Sequence, residues 1–566
     1  MSNIKYIAIT IGPVVDTLLA ARKTREMWSA SYLFSWIMKQ MASSIRDEQA
    51  RSQEIELILP YADLDNDPSL GVYQNFEERE ARLHGAGLFP DRIIFSTQRE
   101  DSLVWTQNCM KDILNNLSMN VGSILAERGG RAHKQKDAAN FLMDYLNIHI
   151  IEKQLDPKAN PILELTPILD MLELRRNFSS MKEATLTDYL KQASLSEKPT
   201  SFLAEDAFGG RNTLDKQTIE HLAVARFVDE STPGFGSSKK EDEESGDLIK
   251  KYSSENPNDF IQAHKYVAIV QADGDNVGKT IQELKDKNGS FSSQKAQLFS
   301  KLLMDFSIDA VNRIYDYGGL PVYAGGDDLL FFAPVLNRNS KAKGRITQEN
   351  SSDEGVIGLQ NIFSLLQNLD YEFQKKMEEM GLTYGEDLPK PTLSFGLSIS
   401  YYKYPLYESQ ARAFHLMKNV AKDEKRGKHN IAFELRKHSG SAFAGILPLK
   451  NEDLIREYSA LLSRLFEPGN NMLLSSVAQK LYREKDVLDL VGEDPSRTRS
   501  YIKNSFNESI HKQNPQKEFL NRIIKLVPEV YKAHSSKEEN APESKPNKEL
   551  FSLMRSLQFL IDDTTA

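Results

Sequence analysis

Two adjacent carboxylates, Asp327 and Asp328, follow a glycine pair, Gly325 and Gly326, in the stretch LPVYAGGDDLLFFAP that runs from Leu320 to Pro334. The flanking residues are β-branched, aromatic or apolar, so the spacing predicts two short strands and a tight turn for which glycine supplies positive backbone angles. Carboxylates at the tip of a rigid hairpin suit Mg²⁺, which takes one or two of them and completes its shell from water and phosphate. An ordinary Asp-Gly turn has the same local signature. Asp273 supplies a second ligand: it closes an apolar run in YVAIVQADGDNVGKT, which begins at Tyr266. Strand-end carboxylates on neighbouring strands converge, and two divalent ions between them can activate a hydroxyl and neutralise a triphosphate. Gly274 lets the backbone approach closely enough for its carbonyl to be a further ligand. Asp275 either assists or caps the helix that follows, where Asn276 is also a competent cap.

A basic cluster, Lys422, Lys425, Arg426 and Lys428, follows a predicted helix. It reads as a clamp on a triphosphate or as a solvated helix end, where cations are favoured by the dipole; the residues alone favour the second. Three other chemistries fail on spacing. GDNVGKT, from Gly274 to Thr280, has three residues between its glycines where a P-loop needs four, and Asp273 stands where the first glycine belongs. Asp63, Asp65 and Asp67 lack the Gly and terminal Glu of a calcium loop and read as a solvated acidic loop. The ten histidines form no H-E-x-x-H and have no cysteine partners.

The elements that must position these residues fall into two α/β halves. In the first, strands are predicted at Lys5–Ile11, Ile55–Leu59, Arg92–Thr97 and Ile148–Glu152, with helices over 14–44, 102–128 and 136–146. The segment from Asp229 to Asp259 is rich in Ser, Gly, Pro and charge and reads as a linker. The second half runs strand (Val267–Val270), helix (Ser293–Tyr317), hairpin, helix (356–380), strand (Thr392–Tyr401), helix (Leu406–Asp423), strand (Asn430–Leu435). That order fits an antiparallel sheet with helices on one face, the architecture of a polymerase palm. From Ala442 onward the pattern is mostly helical. The expected fold class is therefore α+β, with two ferredoxin-like, nucleotide cyclase-like palm domains plus helical domains. Its expected boundaries are 1–180 for the first palm, 181–257 for a helical region and linker, 258–440 for the second palm, and 441–566 for a helical domain with a polar linker at 535–548. A net charge of −9 gives no global invitation to nucleic acid. The single cysteine, Cys109, excludes an internal disulfide and a cysteine-rich zinc site. No signal segment or apolar span is visible, so a cytoplasmic protein without membrane attachment is expected.

With these residues in place the chain resembles the large polymerase-cyclase subunit of type III CRISPR effector complexes, most like the Cmr (III-B) branch. Three blocks carry the resemblance: IGPVVDTLLAARKTREMWSASYLFSWI; ADGDNVGK followed by YAGGDDLLFFAP; and SFGLSISYYKYPLYESQARAFHLMKNVAKDEKRGKHNIAF. The resemblance implies that Asp273, Asp327 and Asp328 are catalytic and bind Mg²⁺ or Mn²⁺ with the Gly274 carbonyl. Gly325, Gly326, Asp275 and Lys422 would lie on the ATP. It further implies a nucleotidyltransferase that makes a second messenger from ATP when a guide RNA in the complex pairs with target RNA. The product would be cyclic oligoadenylate or a conjugate of AMP with S-adenosylmethionine, the latter favoured by the shortness of the chain. For that acceptor Asp67 and Glu152 are expected to meet its positive charge. The partners implied are the other subunits of a III-B complex, its CRISPR RNA and the target RNA. Members often carry an HD nuclease domain and a cysteine-rich zinc module; neither pattern is present, so DNA cleavage and zinc are not expected. The rival readings are a palm-fold scaffold without chemistry, which intact aspartates disfavour, and a diguanylate cyclase, which leaves the N-terminal block and the helical tail unexplained.

Overall fold

A computed structural model describes residues 4–21, 24–62, 86–127, 145–174, 219–227, 247–257, 259–337, 361–384, 390–463, 470–505, 514–534 and 545–561. The first half begins with β1 (Ile4–Gly12), whose last seven residues are all buried. Helix α1 (Thr24–Ser52) follows and lays Leu33, Phe34, Ile37, Met38, Met41 and Ile45 on the sheet, an apolar stripe at helical spacing. Next come β2 (Ile55–Leu59), β3 (Arg92–Thr97), α2 (Ser102–Glu127), β4 (Asn147–Leu155) and α3 (Pro161–Glu173). The strands pair in the order β2-β3-β1-β4, all antiparallel.

The second half repeats this plan. β5 (Tyr266–Asp275) is followed by α4 (Ser293–Tyr317), the hairpin β6 (Leu320–Gly325) and β7 (Asp328–Pro334), α5 (Ile362–Tyr384) and β8 (Thr392–Tyr401). α4 starts and stops where capping requires. The Ser292 hydroxyl accepts from the Lys295 amide at 3.3 Å, and Gly318 ends the helix at φ 99°. The central strands run β6-β7-β5-β8, the same order as β2-β3-β1-β4, so each half is one βαββαβ unit. The second sheet continues through α6 (Leu406–Leu416) to β9 (Asn430–Arg436) and β10 (Ala442–Pro448).

Three expectations need correction. β9 runs parallel to β8, so the sheet is mixed. Ala442–Pro448 is not helical but a sixth strand, paired antiparallel with β9. Leu447 joins the core shared with the C-terminal helices, and Ile446 packs with Ala432 of β9 and with Leu416 and Ala421, a tertiary demand that overrides the short helical look of the segment. The segment read as a linker contains a helix, Asp247–Glu255, because Leu248, Ile249 and Tyr252 share a face that Phe227 covers. The remaining linker residues 229–246, all of 181–218, residues 136–144 of the helix expected over 136–146, and the insertion from 338 to 354 lie outside the described residues.

The two halves are joined by backbone as well as by side chains. The Gly87 amide donates to the Val322 carbonyl at 3.2 Å, the Ala324 amide donates to the Gly87 carbonyl at 2.8 Å, and the Ser31 hydroxyl donates to Val322 at 2.9 Å. Gly87 of the first half thereby makes a single parallel bridge to Tyr323 on β6, the first strand of the Gly-Gly-Asp-Asp hairpin. The C-terminal helices α7 (Glu452–Ser463), α8 (Asn470–Arg483), α9 (Lys485–Val491), α10 (Pro495–Ser505), α11 (Asn514–His534) and α12 (Pro546–Ile561) share one continuous apolar core with both sheets.

Candidate active site

The hairpin turn and the end of β5 meet. Gly326 adopts φ 76°, and its amide donates to the Ser307 hydroxyl of α4 at 3.1 Å, which ties the turn to the helix. A side chain at Gly325 would collide with the Tyr323 ring. On β5, a Cβ at Gly274 would stand 2.5 Å from Asp327 Oδ2 and 2.6 Å from a Val277 methyl, so the bare backbone is what lets Asp327 settle there. The Gly274 amide donates to the Asp327 carboxylate. Asp273 lies beside it: its Oδ2 is 2.5 Å from Lys422 Nζ, which also donates to the Gly274 carbonyl at 2.7 Å.

Lys422 reaches this point through an irregular helix end. α6 gives way to a π turn at Met417–Ala421, and the Lys422 amide donates five residues back to the Met417 carbonyl at 3.1 Å. Gly396 on β8 allows the contact, since a side chain there would strike the Ala413 carbonyl and Met417. The rest of the basic cluster pairs locally, Arg426 with Asp423 at 3.4 Å and Lys428 with Glu424 at 3.6 Å.

Tyr323, Gly326, Asp327 and Asp328 are packed round by protein yet still touched by solvent, as residues lining a recess are. Burial, then repulsion from Asp273, raises the Asp327 carboxyl to about 6. Burial, then Asp327 and Asp273, pushes Asp328 well above the usual carboxylate range. The recess therefore concentrates negative charge that one lysine only partly offsets. A folded-state value above the unfolded one means that stability from this carboxyl is present below about pH 4 and lost as pH rises through about 6. Asp327→Asn should accordingly stabilise the metal-free protein at pH 7.5 by about 1–2 kcal/mol, discounted for the solvent in the recess, and change little at pH 4.5. Calorimetry in chelator at both values checks this; equal destabilisation at both would refute it.

These residues fit a divalent cation. The Lys422 ammonium is already held by the Asp273 carboxylate and the Gly274 carbonyl, oxygen donors of the kind Mg²⁺ and Mn²⁺ take. Among the described residues no three acidic, imidazole or thiol groups form a ready-made cage, so the remaining ligands would come from backbone carbonyl, water and phosphate.

The other expected residues are placed differently. Asp275 is buried and does not cap the next helix. It is 1% exposed, and its Oδ2 accepts from Ser394 Oγ at 2.8 Å, Thr392 Oγ1 at 3.0 Å and the His429 amide at 3.0 Å, pinning β5 to β8 and to the loop after Lys422. Oδ2 is thus taken up by the sheet, while Oδ1 is buried and has no hydrogen-bond partner among the described residues. Glu152 is not brought to the recess. It sits on β4 opposite Ile7, five residues (about 16 Å of strand) from the Asn147 end that meets Gly12, and it accepts from Ser102 Oγ at 2.7 Å and pairs with Lys5 at 3.7 Å. Asp67 lies outside the described residues.

Two residues at the recess escaped the sequence reading. Tyr323 was read only as part of a strand, and Asp91 not at all. Asp91 directly precedes β3 as Asp327 directly precedes β7, so it stands at the corresponding place in the first unit. Its backbone carbonyl accepts from the Ile11 amide at 3.1 Å, and its charge, after burial, raises the Tyr323 phenol more than that of Asp328 or Asp327. The comparable position of a carboxylate before the second hairpin strand of each unit was the available signal.

Two βαββαβ sheets, with paired aspartates on the hairpin of the second, define a tandem-palm protein. Residues 266–432 match the family model for the Cas10/Cmr2 second palm domain, and residues 6–125 match that for the N-terminal part of CRISPR-associated protein Cmr2. The chain belongs to the Cas10/Cmr2 family of large subunits. It is 30% identical over 251 residues to the CRISPR system Cmr subunit Cmr2 of Pyrococcus furiosus, an alignment covering 41% of this chain and 25% of that relative. The match thus spans about a quarter of the curated relative's length. Among solved structures, the apo state of a type III-B Cmr-β complex contains a chain that superposes with TM-score 0.51 at 10% identity over 99% of this chain and 82% of that one. A Csm1–Csm4 cassette in complex with cA4 gives 0.48 at 12% over 99% and 70%. No helix among the described residues is long and apolar enough to cross a membrane.

Proposed function

We propose that this chain is the nucleotide-making subunit of a type III-B CRISPR effector complex, working with the complex's other subunits and CRISPR RNA. When the guide pairs with target RNA, it transfers the adenylyl group of ATP to a ribose hydroxyl and so makes an antiviral second messenger. The observation that supports this most is the convergence of Asp273, Asp327, Asp328 and the Gly274 carbonyl around one ammonium, that of Lys422. Mg²⁺ or Mn²⁺ bound there supplies Lewis acidity and charge neutralisation. Asp273, Asp327 and Asp328 hold the cation; Gly325 and Gly326 keep the turn low so that the nucleotide can approach; Lys422, displaced from Asp273, turns its charge to the triphosphate.

The acceptor we favour is S-adenosylmethionine, giving a conjugate with AMP. The first-half wall of the recess presents Asp91, while Arg92 is held by Asp170 at 2.6 Å and Glu173 at 2.9 Å. A second triphosphate would meet repulsion there. With ATP as acceptor the product would be cyclic oligoadenylate.

The test is to assemble the complex with target RNA, ATP and Mg²⁺, with and without S-adenosylmethionine, and to identify products by mass. A conjugate only when S-adenosylmethionine is present supports the favoured acceptor. Oligoadenylates without it sink the conjugate, and no product in any arm leaves a scaffold subunit.

A further inference from the structure

After Lys422 the chain returns to the sheet in a conformation that residues with side chains seldom adopt. Gly427, Lys428 and His429 follow one another at φ 80°, 52° and 58°, and only the first is a glycine. A Cβ crowds the following carbonyl in this left-handed region, so two such residues in a row persist only where surrounding contacts hold them. None of residues 422–429 is buried, and polar contacts rather than an apolar core decide the shape of the return.

Those contacts converge on His429. Its ring Nε2 lies 2.7 Å from Oδ2 of Asp370, a buried carboxylate on α5. Its amide donates to Asp275 Oδ2 and to Ser394 Oγ, both at 3.0 Å, and its carbonyl accepts from the Leu449 amide at 3.0 Å. Asp370 is itself fixed: Oδ1 accepts from the Leu393 amide at 3.0 Å and Oδ2 from Gln374 Nε2 at 2.7 Å. Leu393 lies opposite Gly274 in the pairing of β5 with β8, and Asp275 follows Gly274 directly. Two carboxylates thus tie His429 to the strand pair that carries the carbonyl held by Lys422. The near end of the loop is clasped as well. Asn430 Nδ2 donates to the Ala421 carbonyl at 2.9 Å and to the Lys428 carbonyl at 2.7 Å, so one side chain joins the residue before Lys422 to the residue before His429. Fixing His429 fixes Asn430, and Asn430 fixes the backbone from which the lysine extends.

We propose that His429 and Asp370 are a positioning pair: they hold the left-handed return of the loop and thereby set where the Lys422 amine stands. This rests on the adenylyl-transfer reading above, in which Lys422 acts on the triphosphate, and adds what aims it. Both residues act through the lysine and through no contact of their own with the nucleotide. A pin that served only the fold would lower the melting temperature and leave the lysine undisturbed.

The test uses the assembled complex and three changes. His429→Ala removes the ring. His429→Asn shortens the side chain out of reach of Asp370 but suits a left-handed backbone, which asparagine tolerates, so it separates the ring contact from the strain and keeps the test open if alanine does not fold. Lys422→Met removes the amine. The metal-free complex is titrated with Mn²⁺ in the absence of nucleotide, and turnover is then measured with target RNA, ATP and Mg²⁺. Both His429 variants should bind Mn²⁺ severalfold more tightly than the wild type, because a released ammonium no longer competes for the Asp273 carboxylate and the Gly274 carbonyl. In the Lys422→Met background His429→Ala should change Mn²⁺ affinity by less than about twofold, as expected when one residue acts through another. Each His429 variant should lose about tenfold in kcat/KM for ATP, the scale of one hydrogen bond to a charged group, and this loss too should vanish on the Lys422→Met background. Unchanged Mn²⁺ affinity in both His429 variants overturns the proposal, whatever happens to the melting temperature. A loss of turnover that persists in full beside Lys422→Met overturns it as well. Wild-type behaviour of His429→Asn beside a defective His429→Ala would mean that the backbone and not the ring aims the lysine, which ends the role of Asp370. If the wild type makes no product, the adenylyl-transfer reading fails, and the Mn²⁺ titration still decides the pair. A thermal melt of each variant shows that it is folded.

Discussion

Asp327→Asn and Asp328→Asn, made separately, are each expected to lower messenger formation by at least about 10²–10³-fold, the range for losing a principal electrostatic stabiliser of the transition state. Asparagine keeps the shape of the turn, so the loss would come from charge. The structure gives the reason that each matters: burial and then the Asp273 charge force Asp327 upward in pKa, and burial and then Asp327 and Asp273 force Asp328 upward, a cost the fold carries without a packing benefit in return. The double change should be little worse than either single one, because groups that hold one cluster act as a unit. Target RNA binding by the assembled complex should stay within about twofold, since neither residue contributes to the apolar core. Product from the double variant at more than about a tenth of wild type would show that the chemistry lies elsewhere.

Lys422→Met is expected to reduce kcat by about 10²-fold and to raise the KM for ATP, with Lys422→Arg a poor rescue because a planar guanidinium does not replace a compact ammonium. The same substitution carries a second, opposite outcome. Lys422 occupies the Asp273 carboxylate and the Gly274 carbonyl in the metal-free protein. Removing it should therefore tighten Mn²⁺ binding in the absence of nucleotide, severalfold, by relieving a competition for those oxygens. Paramagnetic titration of Mn²⁺ reads that directly. Weaker or unchanged Mn²⁺ affinity would mean that the lysine and the cation do not share ligands.

How far the sequence carried depended on whether a feature was local. The hairpin, the long helix from Ser293 to Tyr317 and the strand from Thr392 to Tyr401 were readable because their turn glycines, cap and apolar alternation lie within the segments themselves. The meeting of Asp273 with Asp327 followed from strand ends that had to be neighbours, and the pairing of β5 with β7 places them so. The surroundings of Asp275 could not be read, because the groups that hold its Oδ2, Ser394 and Thr392, lie more than a hundred residues away. Glu152 failed for a related reason: charge made it attractive, but its distance along β4 from the Gly12 end was a matter of register. Asp91 was invisible for want of a partner in sequence. Its place beside the second unit follows from the bridge of Gly87 to Tyr323 on β6, which no local pattern announces. Ala442–Pro448 shows the same limit in the fold, a strand made by the edge it joins.

The π turn at Met417–Ala421 has a consequence for how this region can vary. A regular helix turns by about 100° and rises about 1.5 Å per residue, so deleting any one residue between Leu416 and Lys422 would carry the lysine around the helix and away from Asp273 while leaving the composition of the segment almost unchanged. Lys418 and Asn419 are exposed and could be exchanged for many other residues at little cost. At this helix end the chain is constrained in length more tightly than in identity: what must be inherited is the count of residues between the strand that carries Gly396 and the amine that meets β5.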